Sequence, residues 1–333
     1  MKCFKNYTSI IQIALISITF IPLNINASPL SGTFDVTAES CPAYVSKNKQ
    51  TNPGDITISK GETYDITEGN TDENPSWYRL YIVNAPENTL RWVSQSCGIA
   101  HVDPTSSCVQ QPGKADSYVL ALSWQSGFCQ TYGYKQGKPE CLDFPKDNYN
   151  ATHFSLHGLW PNQNACGTNY GFCNTKKESS FCDYNPLQLD NDTSTNLLRL
   201  MPSYAHGSCL ERYEWNKHGS CQLLNQNDYY DQAIELIDEI NNSKNLMLFI
   251  DSHIGKSMTI SEFNNEFDQA FGKGASDKVY LGCQNNMLVD VYVNLPLLNG
   301  INLPHLAELL PLANHAKNDN CPETFMISDF HTS

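Results

Sequence analysis

The sequence predicts an α+β chain in which a small all-β domain precedes a larger mixed one. Three observations carry that expectation. Short β-rich runs split by turn residues fill positions 31–103, while apolar helical periodicity is found downstream, as at Asp228 to Ile240. Beyond position 111 strands and helices mix without the strict βαβ alternation that builds a parallel sheet.

Residues 1–27 have the anatomy of a signal peptide. Lys2 and Lys5 form a basic start, Ile10 to Leu23 an apolar run, and Ile25-Asn-Ala27 a small-residue cleavage site. A retained membrane anchor is the alternative, and the shortness of the run argues against it. No later segment approaches the roughly 20 apolar residues of a membrane helix, so a secreted or periplasmic soluble protein is expected, with no membrane partner. Of 13 cysteines, removal of Cys3 leaves an even 12, spread without tight C-x-x-C pairs. That distribution disfavours zinc ribbons and redox dithiols and favours disulfides formed in an oxidising compartment. Cys41–Cys97 and Cys283–Cys321 are the expected pairs that would each close one structural unit.

Residues 28–110 are expected to form the small β-rich domain. Gly54-Asp-Ile-Thr-Ile-Ser, Tyr78-Arg-Leu-Tyr-Ile-Val and Leu90-Arg-Trp-Val-Ser alternate, and Asn52-Pro-Gly and Asn84-Ala-Pro break them. The pattern resembles bacterial SH3-like modules. Trp77, Tyr78 and Trp92 fit a small barrel's core better than a ligand groove. Asp103 to Gly113 reads as a linker, and residues 111–333 as the second domain.

There, Tyr118 to Trp124 is an apolar strand, and Phe154 opens another. Tyr230, Ala233, Ile234 and Ile237 mark a helix by their spacing. Thr259-Ile-Ser-Glu262 is a capping-box signature ahead of Phe263, Phe267 and Phe271. Val279–Cys283 and Met287–Val293 predict a hairpin turning at Gln284-Asn-Asn286.

Two runs carry chemistry. In Phe154-Ser-Leu-His157-Gly-Leu-Trp-Pro161, strand alternation sends Phe154 and Leu156 into the core and His157 into a cleft. Gly158 is expected to let the chain turn there, and Pro161 to stop the strand. His153 lies out of phase for a shared metal site, and none is expected. In Tyr213-Glu-Trp-Asn-Lys217-His218-Gly-Ser-Cys221, Glu214, Lys217 and His218 fall at i, i+3 and i+4 on one helical face. A lone Glu–Lys pair beside a histidine would be an ordinary surface. Two imidazoles, a carboxylate and an ammonium suit proton transfer at a phosphodiester without metal or cofactor. His206-Gly-Ser-Cys209 lacks the Glu-Trp-x-Lys lead and is expected to be a loop holding a disulfide cysteine.

These runs resemble the paired active-site motifs of the ribonuclease T2 family of secreted acid endoribonucleases. Leu120 to Trp124 leading to Phe128-Cys129 is similar to the family's first core strand, and Cys283 with Cys321 to its C-terminal disulfide. The resemblance spans roughly residues 115–330 and implies a central antiparallel sheet with packed helices. It implies an RNA endonuclease of little base specificity, passing through a 2′,3′-cyclic phosphate to 3′-phosphate ends, with His218 as base and His157 as acid. Tyr213 departs from the pattern, standing where many members carry a phosphate-binding histidine. Trp160, Asn162 and Tyr170 are the candidate base-binding residues, beside Tyr213.

The formal net charge is −14, and loss of Lys2 and Lys5 makes it more negative still. That balance argues against a generic electrostatic affinity for polyanions, so the RNA partner is expected to be held by a locally cationic cleft. The chain is expected to act as a monomer. Two other function classes stand beside the leading one: a weak or inactive RNA-binding protein on the same fold, and a metal-dependent phosphoesterase using His157, Glu214 and His218.

Overall fold

The computed structural model describes residues 28–30, 32–71, 74–82, 85–86, 88–102, 108, 110–316 and 319–332. The export signal expected at 1–27 and most of the linker expected at 103–113 lie outside these residues.

The first sheet contains β1 (Gly32–Val36), β2 (Thr63–Gly69), β3 (Trp77–Tyr81), β4 (Leu90–Ser94) and β5 (Gly98–Val102). Its order is β4-β3-β2-β1-β5, and every pairing is antiparallel. Alternate residues of these strands bury Phe34, Ile66, Tyr78, Leu80 and Val93 as one apolar cluster. Cys41–Cys97 pins the cluster. Tyr78 and Trp92 are buried, in keeping with the core role expected of them, whereas Trp77 is only half-buried, against Tyr44; the Lys47 ammonium sits 4.3 Å above the Trp92 ring.

The second sheet is built from β6 (Ser117–Ser123), β7 (Ser155–Asn162), β8 (Ser257–Thr259), β9 (Val279–Gln284), β10 (Met287–Pro296) and β11 (Thr324–Met326). The order is β7-β6-β10-β11-β8, with β9 also paired to β10. It is antiparallel apart from the Met287–Met326 bridge. The longest helices packed with it are α1 (Asn191–Leu200), α2 (Leu210–Lys217), α3 (Gln226–Asn241), α4 (Lys244–Ser252) and α5 (Ile260–Phe271). The expected α+β architecture, with an all-β unit in front, is the one observed.

Local chemistry explains the elements that frame the site. The spacing seen in the sequence buries Tyr230, Ala233, Ile234 and Ile237 of α3 in the main core, with Leu120, Leu122, Leu159 and Val291 from the sheet. Thr259 and Glu262 form the expected capping box at the start of α5. Asn285 and Asn286 both adopt positive φ, 52° and 61°, as the two-residue turn joining β9 to β10 requires. Asn241 at the end of α3 accepts from the Phe154 amide and donates to its carbonyl, fixing the start of β7. The twelve cysteines from Cys41 to Cys321 form six disulfides, both expected pairs among them.

One expectation for β7 fails. The chain does not turn at Gly158, and Pro161 does not end the strand, which runs on to Asn162. Because β7 is the edge of its sheet, Pro161 sacrifices no ladder bond that the fold needs.

Candidate active site

The register of three strands lays out the floor. Ser155 pairs with Ser123, and Ser123 with Asp290; one row along, Gly158 pairs with Ala121, and Ala121 with Tyr292. Core-facing neighbours such as Leu122 and Val291 point the other way. Between Leu156 and Gly158 the register of β7 shifts by one residue, and His157 is the extra one. A bulge re-aims a side chain out of the regular alternation. Here it sends the imidazole over the polar row, with its side chain 31% exposed.

Helix α2 brings the second motif down onto this face. Its last carbonyls receive the His218 amide at Glu214, so Glu214 and His218 are stacked one turn apart. Glu214 is 1% exposed; its Oε2 accepts a 2.6 Å bond from Trp160 Nε1, and its Oε1 lies 3.7 Å from His157 Nε2. The Trp160 indole is stacked on His218, at 5.0 Å and 18°, and meets His157 edge-on at 5.4 Å. The two histidines therefore flank one indole, which the buried carboxylate holds in place. Lys217 places its ammonium 5.4 Å from the centre of the Tyr213 ring.

Both glycines of the motifs act by leaving space. A Cβ on Gly158 would come within 2.2 Å of Glu214 Oε2 and 2.8 Å of Trp160 Nε1. On Gly219 it would meet the Trp215 ring at 2.3 Å. Gly219 opens a short 3₁₀ turn without positive φ, so packing, not a left-handed helix cap, is its reason.

The electrostatics separate the two imidazoles. Burial pushes His157 down, but Asp290, 3.8 Å from Nδ1, and the Glu214 carboxylate outweigh it, and its pKa stands above the ordinary histidine value. His218 is held well below that value by burial first, then by the Lys217 and His157 cations. Burial raises the Glu214 carboxyl, against the pull of His157, Trp160 and Lys217. Among the described residues neither ring nitrogen of His218 has a hydrogen-bond partner, although the residue is only 7% exposed. An unpaired buried polar group costs on the order of 1–3 kcal/mol, and a catalytic role is one of the reasons a fold carries such a cost.

The remaining candidates divide. Tyr213 is stacked on Phe181 at 4.3 Å and touches Phe172 edge-on. It lines a cleft of 310 Å³ that His157 and Asp290 also line. Asn162 ends β7 on the same face as Trp160. Tyr170 is a correction: it is 2% exposed and packed among Cys166, Cys173 and Cys221. Its hydroxyl donates to the carbonyls of Gln111 and Cys221 and accepts from the Lys114 amide, so no face is left for a base. His153 stacks on Tyr149, apart from the pair. Asp290 is the residue that motif reasoning passed over; an acid inside the apolar run Met287 to Val293 was its only signal.

Disulfides brace the arrangement. Cys173–Cys221 ties down the turn just after His218, and Cys182–Cys209 the start of α2. The second of these puts the His206–Cys209 string in a disulfide-held loop, as expected.

A model of the Ribonuclease T2 family matches residues 115–303, more than half of the chain. Ribonuclease I of Escherichia coli is 30% identical over 239 residues, which cover 66% of this chain and 88% of that protein. Extracellular ribonuclease LE of Solanum lycopersicum is 28% identical over 165 residues, or 47% of this chain and 65% of that one. Among solved structures, the T2 ribonuclease Actibind aligns with 67% of this chain and 91% of its own, at 15% identity and a TM-score of 0.43.

Proposed function

The chain belongs to the ribonuclease T2 family and is an RNA endonuclease, and on that premise we propose that His157 and His218 are its acid and base. The carrying observation is the packing of both imidazoles against one indole, His218 stacked on it with neither ring nitrogen bonded and His157 edge-on to it beside two carboxylates; burial lowering the His218 pKa and the carboxylates raising that of His157 agree with the roles. His218, held neutral, takes the proton from the ribose 2′-hydroxyl as that oxygen attacks phosphorus. His157, held protonated, gives its proton to the 5′-oxygen as the P–O5′ bond breaks. The products are a 2′,3′-cyclic phosphate and a 5′-hydroxyl. In a second step the roles reverse: His157 takes a proton from water, and His218 returns its own to the 2′-oxygen, leaving a 3′-phosphate.

Lys217 supplies the cation for charge building on the phosphorane oxygens, and Glu214 orients His157 and Trp160. Asp290 joins the set by holding the His157 proton. No step needs a metal, and a monomer suffices, since every group named comes from one chain. The β-rich module is taken as residues 28–110 and the catalytic part as 111–333, a division that the end of the first sheet at Val102 and the start of the second at Ser117 support. The disulfides and the apolar start of the sequence favour action outside the cytosol.

The test is cleavage of an RNA homopolymer and its DNA equivalent at about pH 5 to 6 in EDTA, beside His157→Ala and His218→Ala. Cyclic-phosphate ends from RNA alone, with turnover reduced about 10²–10⁴-fold in each variant, are expected. Cleavage of DNA, or loss of activity to the chelator, would sink the assignment.

A further inference from the structure

The row Gly158–Ala121–Tyr292 continues outward to Tyr280, which pairs with Tyr292 across β9 and β10. Their rings stack at 4.5 Å, and Tyr292 in turn lies 5.6 Å from Trp160. A line of aromatic rings therefore leads from His218 through Trp160 and Tyr292 to Tyr280. Above it lies a cleft of 330 Å³ whose opposite wall comes from the other sheet: Tyr81 at the end of β3 and Leu90 at the start of β4. That volume falls within the range of small-molecule sites, about 300–1,000 Å³. Gly282 keeps the floor open, since a Cβ there would sit 3.1 Å from Asp290 and 3.3 Å from the Tyr292 ring.

We propose that this cleft is a nucleobase subsite for single-stranded RNA, completed by the N-terminal β module. The proposal rests on the catalytic reading of His157 and His218. The cleft shares Trp160 and Asp290 with that site, so a strand whose phosphate lies at the histidines can continue into it. Aromatic faces bind bases of any identity by stacking. The side-chain amides of Gln284 and Asn320 at the rim suit base edges. Among the described residues no lysine or arginine lines the cleft, so it takes the base and leaves the phosphate to Lys217. The module then lengthens the bound strand without adding positive charge.

The test uses the full exported chain with its disulfides intact and a fluorescent hexauridylate carrying 2′-O-methyl riboses, which cannot be cut. Tyr280→Ala and, on the module's side, Leu90→Glu are each expected to weaken its Kd about tenfold. For the charge-neutral Tyr280→Ala the slope of log Kd against log salt should stay that of the parent, because no phosphate contact is lost. The ratio of kcat/KM on an RNA hexamer to that on 2′,3′-cyclic uridine monophosphate should fall by a similar factor. A Kd within twofold of the parent in both variants, or equal loss on the two substrates, would overturn the subsite. A parent chain that binds the hexamer in a Tyr280-dependent way yet hydrolyses neither substrate upholds the cleft and overturns the catalytic reading instead.

Discussion

Trp160 donates its indole N–H to Glu214 Oε2 over 2.6 Å, and that one bond joins the two motifs, 54 residues apart. It fixes the ring against which both histidines rest. It also leaves the second oxygen of the carboxylate facing His157. Burying an ionised carboxylate is costly, and Glu214 carries that burden for the sake of geometry.

Glu214→Gln should therefore separate stability from activity. A carboxyl whose folded pKa lies above its unfolded value lowers stability once the pH passes the unfolded value, and the penalty disappears as pH falls. The amide has no charge to bury and still offers an oxygen to Trp160. Thermal unfolding at pH 7 should show a Tm equal to or above that of the parent, with the difference vanishing near pH 4. Turnover should fall about 10- to 100-fold. A lower Tm at pH 7 would contradict this account of the buried carboxylate.

Asp290→Asn should move one limb of the pH profile and not the other. With the proposed roles, the rate should rise as pH climbs through the pKa of the base, His218, and fall as pH climbs through that of the acid, His157. Asp290 is among the groups that raise His157. Its neutralisation should shift the alkaline limb of kcat/KM to lower pH while the acid limb stays put. Movement of both limbs together would mean the aspartate acts on the site as a whole.

Gly158→Ala has no room for its methyl, which would press on Glu214 Oε2 and Trp160 Nε1. Overpacking of this kind costs about 1–3 kcal/mol. Denaturant unfolding should show that loss, and activity should drop with it, because the atoms displaced are those that seat the indole. Retention of full activity would show that the Trp160–Glu214 bond is dispensable.

Tyr213→His restores the residue common in the family at a position already lining the cleft of His157. An unperturbed histidine, near pKa 6.5, adds positive charge at pH 5 and none at pH 8. Affinity for the uncleavable hexamer should rise about fivefold at the lower pH and be unchanged at the higher. A gain of equal size at both would point to packing against Phe181 instead of charge.

The proposed catalytic quartet was legible because its information is local. Glu214, Lys217 and His218 share a face by spacing alone, and His157 follows a strand pattern. The capping box at Thr259 and the Asn285–Asn286 turn were legible for the same reason. What escaped depends on register between distant segments. Asp290 reaches His157 only because β6 pairs with both β7 and β10. Tyr170 looked like a free aromatic until its hydroxyl met carbonyls some fifty residues away on either side. Gly158 was expected at a turn, whereas a carboxylate from another element claims the space of its missing side chain.

The disulfides on either side of the second motif bear on the cell that makes the chain. Cys182–Cys209 and Cys173–Cys221 bracket the helix that presents Glu214, Lys217 and His218. Losing such a link typically costs a small domain about 2–5 kcal/mol, comparable with the whole margin by which many proteins stay folded. Among cytosolic thiols these links do not persist, so a freshly synthesised chain lacks the clamps on its own chemistry. The segment that presents Glu214, Lys217 and His218 is thus held covalently at both of its ends only where the surroundings are oxidising.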